Sequence, residues 1–253
     1  MKNKLSWIPP TLFAAICVVG WDIAARRQSV QIIPGPWEVF EGIVELGRKG
    51  LVAKYIVASL FRVTWGYLLA VATAIPFGLI LGWRRRAEQA LNPVIQILRP
   101  ISPLAWIPLA ILWFGVGDLS AIFLIFLASF LPLTVSTMNA VRNIPAICLQ
   151  AGRNFGLSEG ELVWRVLFPA ILPQLIVGLR LALGIAWLVV VAAEMIAVNS
   201  GLGFLIIDSR NAGNRYDLVV AGMVLIGGIG LLLDMGMRSL ERARSLRWGY
   251  GTE

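Results

Sequence analysis

Residues 175–198 read LIVGLRLALGIAWLVVVAAEMIAV and carry two charges, Arg180 near the start and Glu194 near the end. About 20 consecutive apolar residues let a helix cross the hydrocarbon layer of a bilayer, and this stretch is long enough on its own. Working outward from it, comparable runs cover Leu5–Ala25, Val63–Trp83, Ile101–Gly117, Leu119–Val141 and Leu218–Met237. Asp22 interrupts the first and Asp234 lies close to the exit of the last, both read as solvated ends. Pro103 and Pro108 break the helical hydrogen-bond ladder, so the Ile101 run is expected to begin irregularly and then become helical. The prediction is an all-α integral membrane protein with about six transmembrane helices, in one domain covering residues 1–253.

Composition agrees. Of 253 residues, 58% are hydrophobic and 14% charged, with a mean hydropathy of +0.79. A soluble domain carries about a quarter charged residues. The net charge of +8 does not imply nucleic acid, because the Lys and Arg residues sit between apolar runs rather than on one solvated face. They fit the positive-inside rule. With the amino terminus and the Arg84–Arg86 cluster placed in the cytoplasm, the cytoplasmic segments hold Lys2, Lys4, Arg84, Arg85, Arg86, Arg99, Arg142, Arg153, Arg165, Arg238, Arg242, Arg244 and Arg247. The external segments hold Arg26, Arg27, Arg48, Lys49, Lys54, Arg210 and Arg215. Arg62 and Arg180 are left as boundary residues. Both termini are then cytoplasmic in a multi-pass protein. Lys2 and Lys4 before the apolar Ile8–Gly20 also allow a signal peptide; without a clean small-residue cleavage site, a retained helix is the better reading.

Cys17 and Cys148 form neither a disulfide framework nor a CxxC motif, and histidine is absent. No metal site is expected, and the commonest general base is missing. An intramembrane enzyme would need clustered nucleophile, base or ligand residues, whereas the acids here are isolated.

Two polar stretches stand out. Residues 28–55 begin with Pro34-Gly35-Pro36 and alternate Trp37, Val39, Phe40, Ile43, Val44 and Leu46 with acids, suiting an external amphipathic helix. Residues 142–174 form the longer cytoplasmic loop. Pro145 can open a helix that stops at Gly156, a left-handed terminator, and Ser158 with Glu161 makes a capping box for a second helix. Pro169 and Pro173 are expected to close that helix before the next membrane run. Spacing alone fits an ordinary amphipathic connector equally well.

This loop resembles the signature of binding-protein-dependent ABC permeases: Glu-Ala-Ala, three residues, Gly, nine residues, Ile, one residue, Leu-Pro. Those positions hold Gln150, Ala151, Gly152, Gly156, Val166, Phe168 and Pro169 with all the spacing intact. The acid at the first place is replaced by Gln150. The resemblance extends from about Pro34 to Trp248, through Pro34-Gly-Pro-Trp-Glu38, Ser59-Leu-Phe-Arg62, Gly78-Leu-Ile-Leu-Gly82, Arg99-Pro-Ile-Ser-Pro-Leu-Ala-Trp106, Ile111-Leu-Trp-Phe-Gly115, Gly178-Leu-Arg180 and Ala193-Glu194. These are similar to the branch serving nitrate, sulfonate, taurine and bicarbonate.

The resemblance implies a type I ABC importer permease fold in a bacterial inner membrane. It implies ABC ATPase subunits as partners, a substrate-binding protein outside, and a second permease copy as a homodimer. Gln150, Ala151, Gly152, Asn154, Gly156, Leu157, Ser158, Glu161 and Pro169 would then couple the chain to the ATPase. The chain has no GxxxxGK[ST] phosphate loop, so ATP and magnesium would be used by the partner and no cofactor by this chain. A subunit of the energy-coupling-factor vitamin importers is the other ATPase-docking alternative, but its short Ala-Arg-Gly signature is absent.

Candidate path residues are Glu194, Arg180, Ser102, Trp106, Ser136 and Asn139. Glu194 reads either as part of an outer gate or as a carboxylate bonded to a neighbouring helix or to the 199–217 loop. Arg180, about one turn into its run, reads either as a snorkelling residue or as an attractor of anions.

Overall fold

The computed structural model describes residues 8–27, 33–211 and 213–241. Lys2, Lys4, the start of the first apolar run, Gln28–Ile32, Arg242, Arg244, Arg247 and Trp248 lie outside them. The described residues form helices α1 (Ile8–Arg26), α2 (Pro36–Arg48), α3 (Leu51–Trp83), α4 (Arg85–Leu98), α5 (Ile107–Phe114), α6 (Asp118–Arg142), α7 (Ala146–Asn154), α8 (Glu159–Leu162), α9 (Phe168–Ala197), α10 (Leu202–Asn211) and α11 (Tyr216–Glu241). Among the described residues four helices are long and apolar enough to cross a membrane: α3, α6, the continuous 159–197 rod and α11. A fifth span results if α4 and the Pro103–Phe114 segment, bent by 84° at their junction, count as one.

α3 packs along α6 through small residues. Gly66, Ala70, Ala74 and Gly78 recur every four residues and are all buried. A Cβ at Gly66 would lie 2.7 Å from Ile125, and one at Gly78 would lie 2.7 Å from the Thr134 carbonyl oxygen. Lipid tails are as apolar as leucine, so membrane helices associate by such close approach rather than by burying oil from water. α9 packs on the other side of α6, with Ala128, Ala193 and Ala197 in one buried cluster.

Three boundaries differ from expectation. α3 begins at Leu51 and not near Val63, because Arg62, which interrupts the apolar run, is paired inside the bundle. The amphipathic helix is therefore only Pro36–Arg48, and 51–55 belong to a span. Pro169 and Pro173 do not close the second loop helix. A π turn at Val163–Leu167 carries the chain from α8 straight into α9. Pro169 takes one of the first positions of α9, where a missing N–H is best tolerated, the wide turn preceding it.

α2 is clasped to the start of α11. Arg215 Nη2 lies 2.7 Å from Glu45 Oε2 and 2.7 Å from Asp217 Oδ2, and Lys49 Nζ donates to Glu45 Oε1 at 2.6 Å. Hydrogen bonds from Arg215 and then Lys49 hold the Glu45 carboxyl down to about 2. Its unfolded value is about 4.3. The contribution of the clasp is thus complete above that value and lost as pH falls toward 2. Glu45→Gln is expected to lower the thermal midpoint equally at pH 7 and pH 5, with the difference shrinking below about pH 4. A difference that grows with acidification would contradict the assignment.

Candidate functional site

The loop 142–174 folds as an elbow. α7 ends in a Schellman turn: the Gly156 N–H donates to the Arg153 carbonyl at 2.9 Å and the Leu157 N–H to the Gly152 carbonyl at 3.2 Å. Gly156 has φ of +77°, the left-handed region that favours glycine. The Ser158 hydroxyl accepts from the Glu161 N–H at 3.4 Å and the Glu161 carboxylate accepts from the Ser158 N–H at 3.1 Å, a closed capping box. Gly152 is buried, and a Cβ there would come 2.5 Å from Leu162 Cδ1. Leu162 fills the volume that an alanine methyl would occupy in the Glu-Ala-Ala signature, which gives this departure a packing reason. Arg153 pairs with Glu159 at 3.2 Å across the corner.

Of the residues singled out in this loop, Gln150, Ala151, Asn154, Gly156, Ser158 and Pro169 are exposed, Leu157 and Glu161 half-buried, and Gly152 buried. Beside them stand three exposed apolar side chains that the signature does not single out: Phe155 (86% exposed), Ile147 (70%) and Trp164 (69%). A signal for Phe155 was present, since a large apolar residue directly before a terminating glycine cannot turn into the helix that ends there.

The membrane-depth charges form two clusters. In the first, Arg62 on α3 is buried with Glu194 on α9, which has no exposed surface. Arg62 Nη1 lies 2.6 Å from Glu194 Oε1, and Arg62 Nε donates to Asp118 Oδ1 at 2.7 Å. Arg62 also donates to the Ser200 carbonyl at 2.7 Å and to the Ser200 hydroxyl. Glu194 Oε2 accepts from the Ser59 hydroxyl at 2.9 Å and from the Gly203 N–H at 3.0 Å. Gly201, at φ of +106°, passes so close to the Glu194 carboxylate that a Cβ would collide with it. Glu194 is therefore bonded both to a neighbouring helix and to the 199–217 loop, and in this conformation it lines no open space. Arg62, set aside as a boundary residue, is the hub that joins α3, the start of α6, α9 and the turn before α10. Its placement between residues 55–61 and 63–83, neither of which carries a charge, was the available signal.

In the second cluster Arg180 Nε donates to Asp234 Oδ1 at 2.6 Å, and Arg238 Nε donates to Asp234 Oδ2 at 2.8 Å. Because the rod starts at Glu159, Arg180 is mid-rod and not one turn from an end. Asp234, its side chain 34% exposed, holds both arginines. Trp106 lines an apolar cavity with Arg99, Phe126, Phe130 and Ile185. Ser102 caps the turn that follows the α4 break, accepting from the Leu104 N–H at 3.3 Å. Ser136 is half-buried over Gly178, and Asn139 is exposed one turn further along α6. The two chemistries do not meet: the elbow and the Glu194 cluster sit at opposite ends of the same rod. Among the described residues no three His, Cys, Asp or Glu side chains gather to hold a metal.

The comparisons with known proteins bear on this arrangement. Residues 74–245 match the family described as the binding-protein-dependent transport system inner membrane component. A putative ABC transporter permease from Methanocaldococcus jannaschii is 42% identical over 90% of this chain and 87% of that protein. The taurine transport system permease TauC of Escherichia coli is 35% identical over 90% of this chain and 85% of that protein. The nitrate import permease NrtB of a Synechocystis strain is 33% identical over 95% and 92%. Among solved structures, the inward-facing MetNI methionine ABC transporter aligns with a TM-score of 0.68 and 19% identity, over 76% of this chain and 95% of that one, a likeness of fold. Family membership sets aside the intramembrane enzyme and the energy-coupling-factor subunit. The chain belongs to the inner-membrane permeases of binding-protein-dependent ABC importers, with the type I importer fold, its binding protein and its ATP-hydrolysing subunit being separate chains.

Proposed function

We propose that two copies of this chain form the membrane path of an importer that carries a small oxyanion, of the sulfonate or nitrate type, into the cytoplasm. The relatives named for taurine and nitrate support that substrate class. Both termini and the elbow face the cytoplasm, α2 and α10 face outside, and the whole chain is a single transmembrane domain. Gln150, Ala151, Asn154, Gly156 and Ser158 meet a groove of the ATPase subunit, with Gly152, Leu157, Glu161 and Pro169 holding the elbow in shape. Closure of the ATPase pair then moves the 159–197 rod as a rigid body.

The observation that carries this reading is the exposed apolar tip. Phe155, Ile147 and Trp164 are exposed on the elbow, and large apolar side chains left in water outside the spans suit a protein contact. Co-expression with the ATPase and affinity purification in detergent tests it. The ATPase is expected to copurify with the wild type and to be lost from Phe155→Asp, a change that touches no buried residue. Retention of the ATPase and of full uptake by Phe155→Asp would refute the docking assignment.

A further inference from the structure

The geometry points to a binding cavity for a monoanion with a small apolar body, held by Arg99 at the break between α4 and the Pro103–Phe114 segment. This deepens the reading of the chain as an anion path and rests on it. The cavity encloses about 300 Å³, at the lower end of small-molecule sites, which run from about 300 to 1,000 Å³. Its walls are Ile101, Trp106, Phe126, Phe130 and Ile185. The rings of Phe126 and Phe130 stack at 5.4 Å between centroids, presenting a continuous apolar wall.

Depth follows from α6. That helix runs from Asp118 to Arg142, and Phe126 and Phe130 lie about its middle. Arg99 therefore sits near the centre of the hydrocarbon layer, although charge counting placed it in a cytoplasmic loop. Charge counting fails here because α4 is itself a helix that rises along α3 and α6, its Ile95 packed with Leu81, Val135 and Met138. Arg62 on α3, Arg142 on α6, Arg165 and Arg180 on the 159–197 rod and Arg238 on α11 each have an acidic partner. The Arg99 N–H donates to the Ile95 carbonyl at 2.9 Å, whereas its guanidinium, exposed at the mouth of the cavity, has no hydrogen-bond or ion-pair partner among the described residues. An unpaired guanidinium at this depth is strongly disfavoured unless water or an anion meets it.

The backbone leads to the same place. Irregular chain at membrane depth is tolerated where it lines a cavity or is buried in protein, and the 84° bend at 99–102 is such a stretch. A planar fork of N–H donors suits the paired oxygens of a sulfonate, nitrate or carboxylate. The apolar walls add affinity for an alkyl body and none for a bare, strongly hydrated dianion. Below the cavity, Pro132, Ser136 and Asn139 follow one another at helical spacing along α6, half-buried or exposed. Asn139 is the exposed polar side chain of that row, on the side of the cavity toward the elbow end.

The test uses the permease–ATPase complex purified in neutral detergent, with ethanesulfonate as probe and saturation-transfer NMR as readout. The wild type is expected to bind ethanesulfonate, with nitrate competing more weakly and neutral ethyl methyl sulfone not competing. Arg99→Gln is expected to weaken binding at least tenfold. Leu127 also lines the cavity, and Leu127→Trp, which fills it and keeps Arg99, is expected to abolish binding. Absence of wild-type binding, binding by Arg99→Gln within twofold of wild type, or equal competition by the sulfone would overturn the proposal. Displacement by short-chain phosphatidylglycerol but not by nitrate would assign the arginine to a lipid headgroup and also overturn it. Failure of the ATPase to copurify would instead refute the importer assembly, and the binding measurement on the permease would stand apart from it.

Discussion

Gly156→Val is expected to abolish uptake while ATP hydrolysis by the assembled complex continues uncoupled. At φ of +77° an L-residue places its Cβ against the neighbouring carbonyl, which costs about 1–2 kcal/mol, and β-branching adds to that. The cheapest relief is to rotate Gly156 out of the left-handed region. That breaks the bonds from Gly156 to Arg153 and from Leu157 to Gly152 and swings Phe155 away from its present place. Nothing lies within 4 Å of the position where the Cβ would be, so the effect is purely conformational. Gly156→Asn separates conformation from volume, because asparagine enters the left-handed region readily, and it should keep most of the uptake. Uptake and ATP hydrolysis measured together in proteoliposomes decide the matter; near-normal uptake by Gly156→Val would count heavily against the elbow as the coupling element.

Arg62→Met is expected to destabilise the fold by about 3–5 kcal/mol, the usual cost of leaving one partner of a buried pair unpaired. Glu194 has no exposed surface and would keep only the Ser59 and Gly203 hydrogen bonds. Thermal unfolding in detergent should show a large drop in midpoint and a lower folded yield. The double variant Arg62→Met, Glu194→Leu should recover much of the loss, since apolar replacement of a buried ion pair is often neutral. If the single variant melts like the wild type, Arg62 is not the hub of this cluster. Glu194→Gln is the milder change and should impair transport with the ATPase still docked.

The sequence made the spans legible because bilayer thickness imposes a length that few other constraints imitate. The α6 and α11 boundaries fall within one to four residues of the apolar runs 119–141 and 218–237. The elbow was equally legible, because Pro145, Gly156, Ser158 and Glu161 act locally through caps and dihedral preference. Arg62 was set aside as a boundary residue because hydropathy treats a charge as the end of a run, whereas pairing can hold it inside, and the pairing of Arg180 with Asp234 was equally invisible. That information resides in contacts such as 62–194 and 180–234, more than 50 residues apart in the chain. Phe155 was overlooked because its significance lies in what it fails to touch.

The rod from Glu159 to Ala197 spans 39 residues without a break, roughly 58 Å at 1.5 Å per residue. Each residue added to a helix turns everything beyond it by about 100°. An insertion of one residue between the π turn and Glu194 would therefore aim that carboxylate away from Arg62 even if every contact at the elbow survived. Length and angular phase are locked together in this segment, so evolutionary drift here can exchange side chains but cannot add or drop a single residue without unlatching the far end.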